Sequence, residues 1–70
     1  MYTVIALYPG LGIKKRITEY SRKAEAFEYI ASLRFCETPY VITGKDGHVL
    51  DFEGYNMSRE EMAAYIQKYC

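Results

Sequence analysis

The sequence predicts a single α+β domain with the element order ββαββα. Three observations indicate this class: β-branched and aromatic residues near the start, a glycine-flanked hairpin signal in the middle, and two segments with helical spacing of apolar side chains. A chain of 70 residues has room for one domain, so residues 1–70 are assigned to one unit. We expect a four-stranded, mainly antiparallel sheet with both helices on one face.

The first two elements are predicted to form a β-hairpin. Residues 2–8 are apolar on both faces, which is typical of a central strand. Pro9 and Gly10 end this strand, because proline cannot donate to a ladder and glycine permits a tight turn. Residues 13–20 mix apolar and charged side chains on both faces, and their polar character after a short turn predicts a half-exposed second strand.

The third element is predicted to be a helix over residues 22–35, capped by Ser21. Its apolar stripe falls at helical spacing, so it should face the sheet. The members of that stripe are Ala24, Phe27, Ile30 and Ala31, widened by Ala26 and Leu33. The helix must end before Pro39, since the residue that precedes a proline is disfavoured in the α region.

A second hairpin is predicted from residues 40–43 and 48–52, which flank the turn signal at residues 44–47. A two-residue turn would pair Ile42 with Asp51 and mix core and surface on one face. A three-residue loop with a left-handed Gly47 instead pairs Ile42 with Leu50 and gathers the apolar residues together. We therefore expect the three-residue loop, with Tyr40 opposite Phe52 and in the core.

The last element is predicted to be a helix that begins after Ser58. Glu61, three residues further on, completes a capping box with this serine. Met57 and Met62 stand at the positions of a hydrophobic staple. The apolar stripe that packs on the rest of the domain is Met62, Tyr65, Ile66 and Tyr69.

The charge composition argues against a protein that is strongly basic or strongly acidic overall. Nine Lys and Arg balance nine Asp and Glu, so neither a general nucleic-acid binder nor a polyanion mimic is expected. The charge is nevertheless divided, because residues 1–35 carry a net charge of +3 and residues 36–70 a net charge of −3. No apolar run or leader pattern indicates a membrane span or a signal peptide, so a cytoplasmic protein is expected.

The inventory of reactive side chains predicts no enzyme, no metal site and no cofactor. His48 is the only histidine, and no sequence pattern brings a nucleophile and a base to it. One histidine with two scattered cysteines does not make a zinc site. For Cys36 and Cys70, two free thiols are favoured over a bridge, because small disulfide-stabilised domains usually carry more cysteines. Asp51 and Glu53 are interpreted as solvated surface charges.

Tyrosine is in excess, with eight residues and no tryptophan. Tyrosine is common at binding surfaces because a large ring is immobilised there at small entropic cost. Tyr40, Tyr65 and at least one of Tyr2 and Tyr8 are expected inside. The predicted binding surface combines basic residues with exposed rings, namely Lys14, Lys15, Arg16, Tyr20, Arg22, Lys23, Tyr29 and Tyr55.

A family resemblance points the same way. The segment from Glu37 to Phe52 follows a helix and makes a short hairpin that ends in Val-Leu-x-Phe. In this arrangement the chain resembles small β-β-α-β-β proteins of phages and mobile elements, among them some type I anti-CRISPR proteins. The resemblance implies a stoichiometric inhibitor that occupies a surface of a larger complex and performs no catalysis.

The sequence therefore predicts a small non-enzymatic protein–protein interaction module, of the kind found in phage-type or accessory inhibitors. Two alternatives stay open. The basic residues around the second strand would contact nucleic acid in a salt-dependent manner. A sheet with apolar residues on both faces would instead associate with a second copy through Val41, Val49 and the outward residues of the first strand.

Overall fold

A computed structural model describes residues 1–8, 10 and 14–68 of the chain. It has four strands and two helices in the predicted ββαββα order, so the α+β class is confirmed. The strands are β1 (Tyr2–Leu7), β2 (Lys15–Tyr20), β3 (Tyr40–Thr43) and β4 (Val49–Glu53), and the helices are α1 (Lys23–Phe35) and α2 (Arg59–Lys68). The turn prediction at Pro9 and the predicted strand start at Ile13 lie outside the described residues, as do Tyr69 and Cys70.

All neighbouring strands in the sheet are antiparallel, in the order β2-β1-β3-β4. The central position of β1 is confirmed, because it pairs with both β2 and β3. A central strand is buried on both faces, and Val4, Ala6 and Leu7 are fully buried. The two edges of the sheet are therefore β2 and β4.

One face of the sheet carries the main core. Its strand residues are Val4 and Ala6 of β1 and Tyr40 and Ile42 of β3, which stand opposite one another across the β1–β3 pair. α1 covers them with Ala26, Ile30 and Leu33. This packing corrects the predicted stripe, since Ala24 and Ala31 are exposed and Phe27 is half-buried. The face that meets the sheet is the one on which Ala26, Ile30 and Leu33 recur at helical spacing.

The predicted cap of α1 is also wrong. Arg22, and not Ser21, is the N-cap residue, with an extended backbone and no capping bond from its side chain. The chain leaves β2 at Tyr20 and needs two exposed residues to turn onto the face of the sheet. The position of the cap is set by this connection, which overrides the local preference for serine.

The hairpin between β3 and β4 has the predicted loop but not the predicted register. Gly44 donates to the carbonyl of His48 and Gly47 has a φ of 85°, which makes a three-residue loop with a left-handed glycine. Thr43 then pairs with Val49, but a β-bulge follows and Ile42 pairs with Asp51 instead of Leu50. Leu50 is the extra residue of the bulge.

The bulge changes which side chains of β4 face α1. Phe52 now stands opposite Val41, on the face away from α1, and Tyr40 stands opposite Glu53. The prediction that Tyr40 pairs with Phe52 is therefore wrong, although Tyr40 itself is buried in the core as expected. An apolar patch consequently forms on the second face of the sheet.

α2 packs on this second face, which corrects the prediction that both helices share one face. The capping box is confirmed, because Ser58 N donates to Glu61 Oε1 and Glu61 N donates to Ser58 Oγ, each at 3.1 Å. Met62 of α2 is buried outside the main core. The physical reason is the bulge, which gives the second face the apolar side chains that a short amphipathic helix must cover.

Candidate functional site

An apolar groove lies between α2 and the second face of the sheet. Strands β3 and β4 contribute Val41, Val49 and Phe52, and α2 contributes Arg59, Met62, Ala63 and Ile66. These seven residues are called the apolar groove below. Its volume is about 180 Å³, and it is open to solvent along β4, where Val49 is 56% and Phe52 40% exposed. Apart from Arg59, every side chain that lines it is apolar.

The groove exists because α2 is held close to the end of β4 without filling the space beneath it. Gly54 permits this approach: a Cβ atom there would overlap the carbonyl oxygen of Met57 and lie 2.8 Å from Met62 Sδ. Met57 N donates to Gly54 O at 2.8 Å and closes the turn into the helix. The capping box at Ser58 then fixes where α2 begins.

Arg59 is the polar group at the mouth of the groove. Its guanidinium carbon lies 5.7 Å from the centroid of the Phe52 ring, within the range of a cation–π interaction. This contact keeps the ring at the floor of the groove and leaves a cationic group beside it. An aromatic side chain entering the groove would meet apolar walls and this one charge.

The two edges of the sheet are protected very differently. β2 presents Lys15, Arg16 and Glu19 along its edge, and such charges deter pairing with other chains. The described part of β4 has Val49, Leu50 and Phe52 exposed, with neither lysine nor proline among its five residues. Apolar side chains are therefore exposed at this edge, while the bulge and the carboxylates of Asp51 and Glu53 limit its pairing with another strand.

A carboxylate on β4 ties this edge to the core. The hydroxyl of Tyr40 donates to Asp51 Oδ2 at 3.1 Å, and the backbone N–H of Phe52 donates to Asp51 Oδ1 at 2.9 Å. Asp51 is half-buried, which corrects its interpretation as a solvated surface charge. Because Asp51 occupies the N–H of Phe52, an incoming strand could not use that donor, and the side chains of the groove remain the better contact.

Ionisation of the buried Tyr40 hydroxyl is expected to destabilise the protein at alkaline pH. Burial, together with the hydrogen bond to Asp51 and its charge, raises the pKa of Tyr40 from 10.0 to about 12. The stability that this neutral hydroxyl provides is complete below pH 10, where unfolded tyrosine begins to ionise, and is lost as the pH rises to 12. We expect the free energy of unfolding to fall by roughly 1.4 kcal/mol per pH unit in this window.

Urea denaturation at a series of alkaline pH values measures this effect. The Tyr40→Phe variant is the control, because it lacks the ionising group and its stability should fall less steeply between pH 10 and 12. Burial also raises the pKa of Tyr8 and Tyr20, so some dependence on pH remains in the variant. If the free energy of unfolding fell equally steeply with pH in the two proteins, the ionisation of Tyr40 would not contribute to the loss of stability.

Two of the three rings predicted to be exposed are half-buried. Tyr20 and Tyr29 pack against the main core, with their ring centroids 5.9 Å apart. Tyr2 and Tyr8 join the same partly buried group, as expected for at least one of them. The expectation of exposed rings at Tyr20 and Tyr29 is wrong because both rings pack against the main core and against each other.

Tyr55 is exposed, as predicted, and lies beside the C-terminal end of α1. Its hydroxyl donates to the carbonyl of Arg34 at 3.4 Å, at the end of α1. Its backbone has a φ of 54°, which is unusual for a residue other than glycine. The structure therefore places Tyr55 apart from the pair formed by Tyr20 and Tyr29.

The two basic residues predicted within β2 lie on opposite faces of the sheet. Lys14 and Arg16 are exposed, whereas Lys15 is half-buried and stands opposite Leu7. Arg22 and Lys23 lie at the start of α1, where Lys23 Nζ is 5.8 Å from the centroid of the Phe27 ring. Strand alternation sends Lys15 and Arg16 to opposite faces. Nucleic-acid contact through these residues stays a prediction.

The reactive side chains are separated in the fold. His48 and Asp46 form an exposed pair at the hairpin turn, with His48 Nδ1 2.6 Å from Asp46 Oδ2, and this bond lowers the pKa of the Asp46 carboxyl. Cys36 is an exposed free thiol at the end of α1. Among the described residues, no three His, Cys, Asp or Glu side chains are placed to hold a metal ion.

Comparison of this chain with known protein families, curated proteins and solved structures finds no match. Neither described helix combines the length and the apolar character that crossing a membrane requires. The apolar groove includes Val41 and Val49, two of the residues expected from the sequence to contact a second copy. Phe52 and the α2 residues of the groove were not expected at a binding surface. The bulge that turns Phe52 to the second face has no sequence signal of its own.

Proposed function

We propose that the protein is a small non-enzymatic protein–protein interaction module that binds its partner through the apolar groove. The observation that carries the proposal is an open, almost wholly apolar groove beside an edge strand on which Val49, Leu50 and Phe52 are exposed. This surface replaces the one expected from Tyr20, Tyr29 and the basic residues, because those two rings are engaged in the fold. An inhibitory role on a larger complex, as the resemblance implies, is the finer form of the same proposal.

The size of the groove favours a side chain over a metabolite. Pockets for small ligands usually measure roughly 300–1,000 Å³ and hold several polar groups, whereas this groove measures about 180 Å³ and has only Arg59. An apolar cavity of about 150 Å³ is sufficient for a benzene ring. The groove is therefore suited to one aromatic or branched side chain, presented by a protein partner as an anchor.

Selection from a random peptide display library tests the proposal. Ala63→Phe should fill the groove, and Ala64→Phe is the matched control, because Ala64 is the exposed neighbour on the same helix and does not line the groove. We expect the wild-type protein and the Ala64→Phe variant to enrich peptides that share an apolar anchor. The Ala63→Phe variant should enrich at least about tenfold fewer of them.

Nuclease-treated library stocks and two salt concentrations separate this proposal from nucleic-acid contact. Binding through apolar anchors should change little with salt, whereas phosphate contacts would weaken steeply as the salt concentration rises. Enrichment that is equal for all three proteins, or no enrichment at all, would contradict the groove as the binding site.

A further inference from the structure

Phe35 is the most exposed large apolar side chain among the described residues. It is the last residue of α1 and is 91% exposed. The other two phenylalanines, Phe27 and Phe52, both rest against the fold, in contact with the core or at the floor of the groove. A ring that is this exposed contacts almost nothing in its own molecule, so its apolar surface is available to another molecule.

We infer that the apolar groove receives Phe35 of a second copy of the chain. The inference rests on the proposed function, because it names the partner of the same groove. One ring matches the volume, since about 180 Å³ slightly exceeds the roughly 150 Å³ that accommodates benzene. Arg59 at the mouth would face the incoming ring as it now faces Phe52.

The location of the two features makes the contact intermolecular. α1 packs on the face of the sheet that carries Tyr40 and Ile42, whereas the groove opens on the face that carries Val41 and Phe52. Each copy offers both Phe35 and a groove. The contact therefore builds a head-to-tail chain, a ring or a reciprocal two-fold dimer.

The charges beside the two features set the orientation of the contact. Arg59 is the charged residue that lines the groove. On the other side of the contact, Arg34 and Glu37 flank the end of α1 at Phe35, and both are exposed. The contact is therefore favoured in the orientation that brings Glu37, and not Arg34, towards Arg59.

The expected association is weak. A stable interface buries about 1,200 Å² or more in total, and one inserted ring with its surroundings covers much less of a molecule whose whole accessible surface is 4850 Å². We therefore expect assembly that grows with protein concentration and dissociates readily on dilution. Phe35→Ala should weaken it by roughly 30-fold, the effect of removing a central anchor.

Sedimentation velocity over a range of protein concentrations tests the inference, with a reductant present so that Cys36 cannot form a covalent dimer. The wild-type protein and Ala64→Phe should associate, whereas Phe35→Ala and Ala63→Phe should each remain monomeric. Val49→Glu, which places a charge at the open side of the groove, serves as a second groove variant in case Ala63→Phe unfolds. Circular dichroism verifies the fold of each protein.

Mixing the two monomeric variants gives the decisive result. Phe35→Ala retains a groove and Ala63→Phe retains the exposed ring, so together they should form a 1:1 heterodimer that cannot grow further. A wild-type protein that stays monomeric, association that survives Phe35→Ala, or a mixture without heterodimer would overturn the inference. In each of these cases, peptide selection that still depends on Ala63 would leave the proposed function standing.

Discussion

Replacing Ile42 by alanine is expected to lower the free energy of unfolding by about 3–4 kcal/mol. Ile42 is fully buried at the centre of the sheet, between Val4 of β1 and Asp51 of β4. Removing its branched side chain leaves a cavity between the sheet and α1, where the surrounding strands are too constrained to collapse. Urea denaturation with a constant m value would measure the loss.

Ile17→Ala is the matched control for this experiment. Both residues are isoleucines in strands of the same sheet, but Ile17 lies on the edge strand β2 and is 52% exposed. We expect Ile17→Ala to lower the free energy of unfolding by less than about 1 kcal/mol, because half of the Ile17 side chain already contacts water. A comparable loss for the two variants would contradict the assignment of the main core to the face covered by α1.

Gly54→Ala is expected to destabilise the protein by steric overlap. The new methyl group would overlap the carbonyl oxygen of Met57 and press on Met62 Sδ, so the turn between β4 and α2 must open. Overpacking of this kind costs about 1–3 kcal/mol. Since the same turn holds α2 over the apolar groove, we also expect peptide binding by the groove to be lost.

Gly44→Ala provides the comparison. A Cβ atom at Gly44 would have its nearest neighbours at 3.5 Å, which is an ordinary contact with Asp46 and Leu50. We expect its free energy of unfolding to stay within about 0.5 kcal/mol of the wild-type value. If Gly54→Ala were equally mild, the close approach of α2 to β4 would have to be wrong.

Much of the fold could be predicted from local patterns. The central β1 follows from its apolar residues on both faces, and the capping box at Ser58 and Glu61 is a short-range signal that the structure reproduces. The left-handed Gly47 is equally local. These features depend on a few neighbouring residues, so the sequence alone determines them.

The errors arose where distant parts of the chain decide the outcome. The bulge in the β3–β4 pair, between Ile42 and Thr43, brings Asp51 to the hydroxyl of Tyr40 and moves Phe52 to the second face. A regular β-ladder without a bulge would also place the apolar side chains of the hairpin on one face. The sequence pattern therefore favours the regular ladder. The same shift brings Phe52 into the apolar groove, so only Val41 and Val49 of the groove were expected at a contact surface, in the self-association alternative.

The position of β1 has a consequence for how the chain folds. The strands of the β1–β2 pair and of the β3–β4 pair are consecutive in the chain, and hairpins form within about 1–10 μs. The β1–β3 pair connects them across β2 and α1, so a much longer loop must close before its contacts form. Folding is therefore expected to be limited by one encounter between the two hairpins, and mutations on the β1–β3 seam should slow this step more than mutations confined to either hairpin.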